Sequence, residues 1–296
     1  MASKILVTGA TGSVGRVLIR ELLKKGKGVR AGIHTPDKSE YIKVSGVEAV
    51  PLEFGDYTTI DKALQDIKSL FLITPIAREE VEFARRMVDR SRMWGVEHIV
   101  KLSMLNAASM PGTLFTRWHN QAENYIEESG IPYTFLRPNI YMQNFLRYVQ
   151  PSGSLIAMPL NGAKVSYIDV RDIAAVGAEV LVGGKEFFGK TLELTGPDAI
   201  TMDDVANALS EEVKSHLGYI PISDDVGRHI LESIGTPHWL VEGMLELYTM
   251  ERERMNCKVT STVEDITGKK ALAFDRFAND YAETFKAIVQ HEHIRI

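Results

Sequence analysis

From Lys4 to Arg137 the chain keeps one rhythm, a short apolar burst followed by an amphipathic segment, and few folds can absorb it. The bursts are KILVT (4–8), VRAGIHT (29–35), VEAVPLEF (47–54), SLFLIT (69–74), VEHIVKLS (96–103) and PYTFLR (132–137). Each is too short for a helix and rich in β-branched and aromatic residues. Between them, apolar residues recur at helical spacing: Val14, Val17, Leu18 and Leu22 before a stop at Gly26, then the segments 59–67, 78–95 and 117–130. Strands that are apolar almost throughout must be covered on both faces. Joined by helices, they must run parallel with right-handed crossovers. The fold class predicted is α/β, a doubly wound parallel-sheet Rossmann fold.

After Arg137 the rhythm loosens. Residues 164–184 read as one more strand and a helix, and KTLELTG (190–196) as the last strand of the main sheet. Segments 200–213, 224–235, 237–250 and 275–289 are mostly helical, punctuated by Pro and Gly. We expect residues 1–196 to form the nucleotide-type domain and residues 197–296 a smaller, mostly helical lobe that covers the substrate. The loop 150–162 is expected to contribute to that lobe. The stripe Trp239, Met244, Leu247, Tyr248 and Met250 reads as core, or else as a lid or the face of a homodimer.

Bulk properties narrow the function classes. At 296 residues and 45% hydrophobic content the chain can bury one large core with a smaller appended one. Its 34 basic and 39 acidic residues give a net charge of −5 without long single-sign runs. Nothing there favours the counterion release that nucleic acid or an anionic membrane rewards, so neither is expected as a partner. No apolar stretch approaches the roughly 18–20 residues that span a bilayer. The lone Cys257 and an opening Met-Ala-Ser-Lys without a leader pattern suggest a cytoplasmic protein. The histidines show no metal-ligand spacing, and no metal is expected.

ILVTGATGSVG (5–15) places Gly9, Gly12 and Gly15 in the first strand-to-helix turn. In this fold class, ligands bind beyond the carboxyl ends of the strands where strand order reverses, and this turn is one wall of that crevice. Gly9 permits the turn, Gly12 admits a pyrophosphate to the main chain, and Gly15 lets helix and strand pack closely. Thr11, Ser13 and Val14 supply the surrounding backbone. The alternative is a merely tight turn, which leaves three glycines unexplained. At the end of the second strand, HTPDK offers Asp37 for a ribose diol, or Lys38 with His34 or Arg16 for a 2′-phosphate. We favour NADP(H) over NAD(H), with a solvated turn as the plain alternative. Gly55 and Asp56 are expected near the adenine, and Thr74 and Pro75 near the nicotinamide ribose.

TGATGSVG, VKLS, WHNQAE and GIPYTFLRPNIYMQNF, together with VSYIDVRDIA and TGPDAITMDDVA, resemble the NmrA-like branch of the atypical short-chain dehydrogenases over most of the chain. The resemblance implies an NAD(P)-binding Rossmann domain with a small substrate lobe. Its members include quinone reductases, triphenylmethane-dye reductases, ergot-alkaloid dehydrogenases and non-catalytic cofactor-sensing regulators. The wider superfamily protonates its substrate with a Tyr followed four residues later by a Lys. Here Tyr125 is followed by Ser129, so the pair is missing, and Ser103 stands where the superfamily's serine would be.

A positioned general acid gives about 10²- to 10⁴-fold in rate. Quinones, cationic dyes and conjugated imines need it least. The expected chemistry is therefore hydride transfer from NADPH to a planar, electron-poor small molecule, with a cofactor-sensing regulator that binds a protein partner as the alternative. His119 is the candidate proton donor, its ordinary titration near neutrality suiting the task, or else a capping histidine. Lys101 reads as a structural residue that snorkels to the surface. Arg137 and Pro138 are expected to shape the strand exit. Asn139, Tyr141, Met142 and Phe145 are expected to wall the acceptor pocket, though packing explains Met142 and Phe145 equally well.

Overall fold

The computed structural model describes residues 4–34, 46–149 and 155–290. The alternating half runs β1 (Lys4–Val7), α1 (Ser13–Lys24), β2 (Val29–Ile33), β3 (Val47–Pro51), α2 (Tyr57–Leu64), β4 (Ile67–Leu72), α3 (Glu80–Met93), β5 (His98–Leu102), α4 (Leu114–Glu128) and β6 (Tyr133–Pro138). It continues through α5 (Phe145–Tyr148), β7 (Leu155–Met158), α6 (Val170–Gly183) and β8 (Lys190–Leu194). The remainder is α7 (Met202–Val213), β9 (Gly218–Pro221), α8 (Asp224–Ser233), α9 (His238–Arg252), α10 (Thr262–Thr267), α11 (Phe274–Asp280) and α12 (Ala282–Val289).

The main sheet has seven parallel strands in the order β3-β2-β1-β4-β5-β6-β8. Helices cover both faces, as near-continuous apolar strands require. On one face Leu18 and Leu22 of α1 pack with Ile173 and Val176 of α6. On the other, Ile60 of α2, Met87 and Val88 of α3 and Ile126 of α4 share a second cluster. A side chain as fully buried as Leu18 or Leu22 contributes about 1.5–3 kcal/mol.

The stretch 164–168, expected as a strand of the main sheet, forms only isolated bridges, Val165 with Ile200 and Tyr141 with Ile168. The place beside β6 is already filled by β8, from Thr134 opposite Lys190 to Pro138 opposite Leu194. β7 leaves the main sheet and pairs in parallel with β9, Leu155 opposite Gly218 and Met158 opposite Pro221. A third cluster, including Phe145, Met158, Leu209, Leu245 and Phe277, forms the core of this region. Tyr248 and Met250 of the α9 stripe are buried there or beside it. α10 returns to the main layer, where Val263 is buried with α6.

Candidate functional site

Strand order reverses between β1 and β4, because β2 and β3 extend to one side and β5, β6 and β8 to the other. The crevice opens at their carboxyl ends. Gly9 follows β1 with φ +57°, a left-handed conformation open to glycine at no cost. At Gly15 a Cβ would lie 2.3 Å from the Gly9 carbonyl oxygen, so only glycine lets α1 start this close to the turn. Gly12 is the exposed N-cap of α1. Its backbone is extended, no side chain caps the helix, and the first turn carries no acidic residue. The first amides of α1, at Ser13, Val14 and Gly15, therefore lack the side-chain acceptor that a helix start normally has. With Thr11 partly exposed alongside, these residues fit the diphosphate of a dinucleotide.

The other expected contacts divide. His34 is exposed at the end of β2 and faces the Glu53 carboxylate across the sheet edge. Arg16 is exposed in the first turn of α1. Asp37 and Lys38 lie outside the described residues. Asp56 is exposed but committed as the N-cap of α2, accepting from the Thr58 amide at 2.8 Å. Thr74, just after β4, donates its hydroxyl to Glu80 Oε1 at 3.0 Å. Ser103, just after β5, is buried, and its Oγ has no hydrogen-bond partner among the described residues. An orphaned hydroxyl at the end of a central strand is a group waiting for a ligand or water.

Three charged or titratable side chains meet behind Thr74. Lys101 does not snorkel. It is fully buried on β5, with Nζ 3.2 Å from the Leu102 carbonyl, 3.1 Å from His119 Nδ1 and 3.8 Å from Glu80 Oε1. His119 Nδ1 is also 3.3 Å from Glu80 Oε1. Burial raises the Glu80 carboxyl above its usual range, opposed by Lys101 and by the Thr74 hydroxyl. Burial lowers the Lys101 ammonium, opposed by Glu80 and Glu123. Burial first, and then Lys101, push His119 well below its ordinary value. The expected titration near neutrality is corrected accordingly: His119 is a neutral imidazole at physiological pH. Its Nε2 has no hydrogen-bond partner among the described residues, and 18% of the side chain remains open.

A neighbouring pair fixes the helix that carries His119. Arg137 Nε donates to Glu123 Oε1 at 3.0 Å, tying α4 to β6. Trp118 packs on Trp239 at 5.6 Å between ring centres, and Arg78 lies over Trp239 at 5.9 Å, so α9 is laid across α4.

The expected acceptor wall is mostly core. Asn139, Met142 and Phe145 are buried, the last two in the cluster beneath α7 and α9. The Asn139 amide donates to Ser166 Oγ at 2.7 Å and to the Asn256 carbonyl at 2.8 Å, and its oxygen accepts from the Ile140 amide. Its capacity is spent on holding the chain at Asn256. Tyr141 is partly buried against the α1 and α6 side of the sheet. A cavity of about 410 Å³ lies between the loop before α4 and helix α9, lined by Thr113, Leu245, Glu246 and Met250 among others. A second, of about 130 Å³, is lined by Met142, Tyr167, Pro197 and Phe274 among others. Neither is lined by the glycine turn or by His119.

Sequence reasoning missed Glu80 and misread Lys101. The signal for Lys101 was a cation inside the apolar run HIVKL; Glu80 offered none, lying in the acidic first turn of α3 like a solvated residue. Among the described residues no helix is long and apolar enough to cross a membrane, and no group of three or more His, Cys, Asp or Glu is placed to hold a metal ion.

Comparison with known proteins adds to this geometry. The model of the NmrA-like family matches residues 1–283. An NAD(P)H azoreductase of Xenophilus azovorans is 30% identical over 96% of this chain and 99% of its own. A (4-alkanoyl-5-oxo-2,5-dihydrofuran-3-yl)methyl phosphate reductase of Streptomyces griseus is 32% identical over 95% and 99%. Among solved structures, the NADPH complex of an Escherichia coli NADPH-dependent quinone oxidoreductase superposes with a TM-score of 0.84 at 23% identity, covering 93% of this chain and 99% of that one. The negative transcriptional regulator NmrA in complex with NADP gives 0.79 at 18% identity over 95% and 96%.

Proposed function

The chain belongs to the NmrA-like family, and from that premise we propose that it is an NADPH-dependent reductase of planar, electron-poor acceptors such as quinones, dyes or conjugated imines, working without a Tyr-x-x-x-Lys pair. The observation that carries the reading is the run of uncapped α1 amides just beyond β1, where the sheet reverses, together with the buried cluster of Lys101, His119 and Glu80 behind Thr74 at the end of β4. The azoreductase, furanone reductase and quinone oxidoreductase among the similar proteins support an oxidoreductase that uses a nicotinamide cofactor.

A bound nicotinamide supplies hydride from C4. The chain's own residues do the rest. The amides of Ser13 to Gly15 hold the diphosphate, and Thr74 and Ser103 stand where the nicotinamide ribose is expected. His119 faces the acceptor with Nε2. Positioning reactants at near-attack distance accounts for most of the catalysis such acceptors require. Arg16, exposed in the first turn of α1, and His34, exposed at the end of β2, are the described basic residues expected beside a 2′-phosphate, and with Lys38 they favour NADPH over NADH.

Anaerobic NADPH consumption against a panel of quinones, triphenylmethane dyes and cyclic imines, with NADH in parallel, tests the reading. Turnover of at least one acceptor class, faster with NADPH, is expected. Tight NADPH binding without turnover of any acceptor would replace it with the second reading, a cofactor-sensing regulator. The burial of Asn139, Met142 and Phe145, where an acceptor pocket was expected, favours that alternative.

A further inference from the structure

The ammonium of Lys101 is closer to His119 Nδ1, at 3.1 Å, than to the carboxylate of Glu80, at 3.8 Å. A lysine buried only to make an ion pair would seat its nitrogen on the carboxylate, since taking both charges out of water is repaid only by close contact. Here the shorter contact is to an imidazole nitrogen. An ammonium can only donate, so with Lys101 charged this contact makes Nδ1 the acceptor and assigns the proton of the neutral ring to Nε2.

We propose that Lys101 is the positioning residue that makes His119 a proton donor: it fixes the Nε2–H tautomer and passes its own proton to Nδ1 as Nε2 gives one away. This rests on the reductase reading and names the acceptor class that needs the device, a neutral quinone-like molecule that becomes an oxyanion on receiving hydride.

Hydride adds two electrons and one hydrogen to the acceptor, leaving a negative oxygen. The bond from His119 Nε2 to hydrogen breaks and an O–H bond forms. A bond from Lys101 Nζ to hydrogen breaks and one from Nδ1 forms. Lys101 ends as an amine, and His119 ends neutral with its proton on Nδ1, 3.3 Å from Glu80 Oε1, which accepts it. A solvent proton returning through Nε2 resets the pair. A neutral imidazole alone would become an imidazolate, a poor acid at any working pH. With the ammonium behind it, the charge lost belongs to Lys101, and burial makes that loss easier. The charged groups facing the unit are Glu80 from α3, Glu123 from α4 and, through Glu123, Arg137 from β6.

The test has two arms. ¹⁵N spectra of labelled histidine, with the His119 signal assigned by its loss in His119→Gln, should show an unprotonated Nδ1 and a protonated Nε2 in the wild type. Lys101→Met should remove that preference, and Lys101→Arg should restore it. In kinetics, Lys101→Met should lower kcat with a neutral quinone by about tenfold or more. In the wild type the quinone rate should fall at alkaline pH as the Lys101 ammonium is lost, a limb that Lys101→Met should lack, and reduction of a cationic triphenylmethane dye should fall less than that of the quinone. Lys101→Arg should restore the tautomer without restoring the quinone rate, because a guanidinium does not give up its proton. A wild-type His119 protonated on Nδ1, or equal losses with quinone and dye, overturns the proposal. If the wild type reduces no acceptor, the reductase reading fails, while the wild-type spectrum still decides whether Lys101 sets the tautomer.

Discussion

Thr8 Oγ1 donates to the Ile73 carbonyl at 2.8 Å and accepts from the Ile73 amide at 2.7 Å. One fully buried hydroxyl thus clasps the carboxyl ends of β1 and β4, the two strands between which the sheet reverses. The width of the candidate cofactor crevice is set by this clasp, because Gly9 follows Thr8 and Thr74 follows Ile73.

Thr8→Val should keep the packing volume and leave both Ile73 groups unpaired. The expected cost is about 1–3 kcal/mol of stability together with weakened NADPH binding. Urea denaturation and fluorescence titration of the same variant check both; an unchanged denaturation midpoint would remove the clasp from the account.

Gly12→Val and Gly15→Ala should separate binding from folding. At Gly12 the backbone is extended, φ −75°, which any residue can adopt; a Cβ would stand 3.2 Å from the Gly9 carbonyl oxygen, which must give by a few tenths of an ångström, so the fold should survive with a small loss of stability. NADPH affinity should fall by about 100-fold or more, or roughly 2.7 kcal/mol. At Gly15 the 2.3 Å approach lies within the framework itself, and thermal stability should fall along with binding.

Asn139→Leu should behave as a structural lesion. It removes both amide donations and the acceptor of the Ile140 amide, while the buried Asn256 carbonyl keeps only the Ser166 amide and hydroxyl as donors. A loss of about 1–3 kcal/mol in denaturation is expected. A large rise in acceptor KM with stability intact would instead return Asn139 to the acceptor site.

His98 predicts an acid limb in stability. Its Nε2 lies 2.9 Å from Thr134 Oγ1, whose hydroxyl donates to the Phe187 carbonyl, so the ring is assigned as a neutral Nε2–H donor. Burial lowers it to about 4 from 6.5. The unfolded chain therefore takes up the proton first as pH falls. The stability is fully present above about pH 6.5, and about 3 kcal/mol at most is lost on the way down to pH 4. Denaturation from pH 7 to 4 should show this slope in the wild type and a shallower one in His98→Gln.

The sequence by itself determined the doubly wound sheet and the place of the glycine turn. Both are written locally: the period of apolar residues says which faces an element buries, and three glycines between a strand and a helix have one place to go in that fold. Sequence also marked His119 through its position on the helix after β5. Tertiary structure alone decided what His119 is. Its neutrality comes first from burial and then from Lys101 on β5, and no local period reports which buried side chain will meet which across three elements. The same holds for Asn139, Met142 and Phe145, whose polar and apolar groups are consumed by Ser166, Asn256 and the helices of the later region. It also holds for β7, whose partner β9 lies beyond α6, β8 and α7. Whether a residue faces solvent, ligand or core depends on what distant segments bring against it, and that is settled only when the chain has packed.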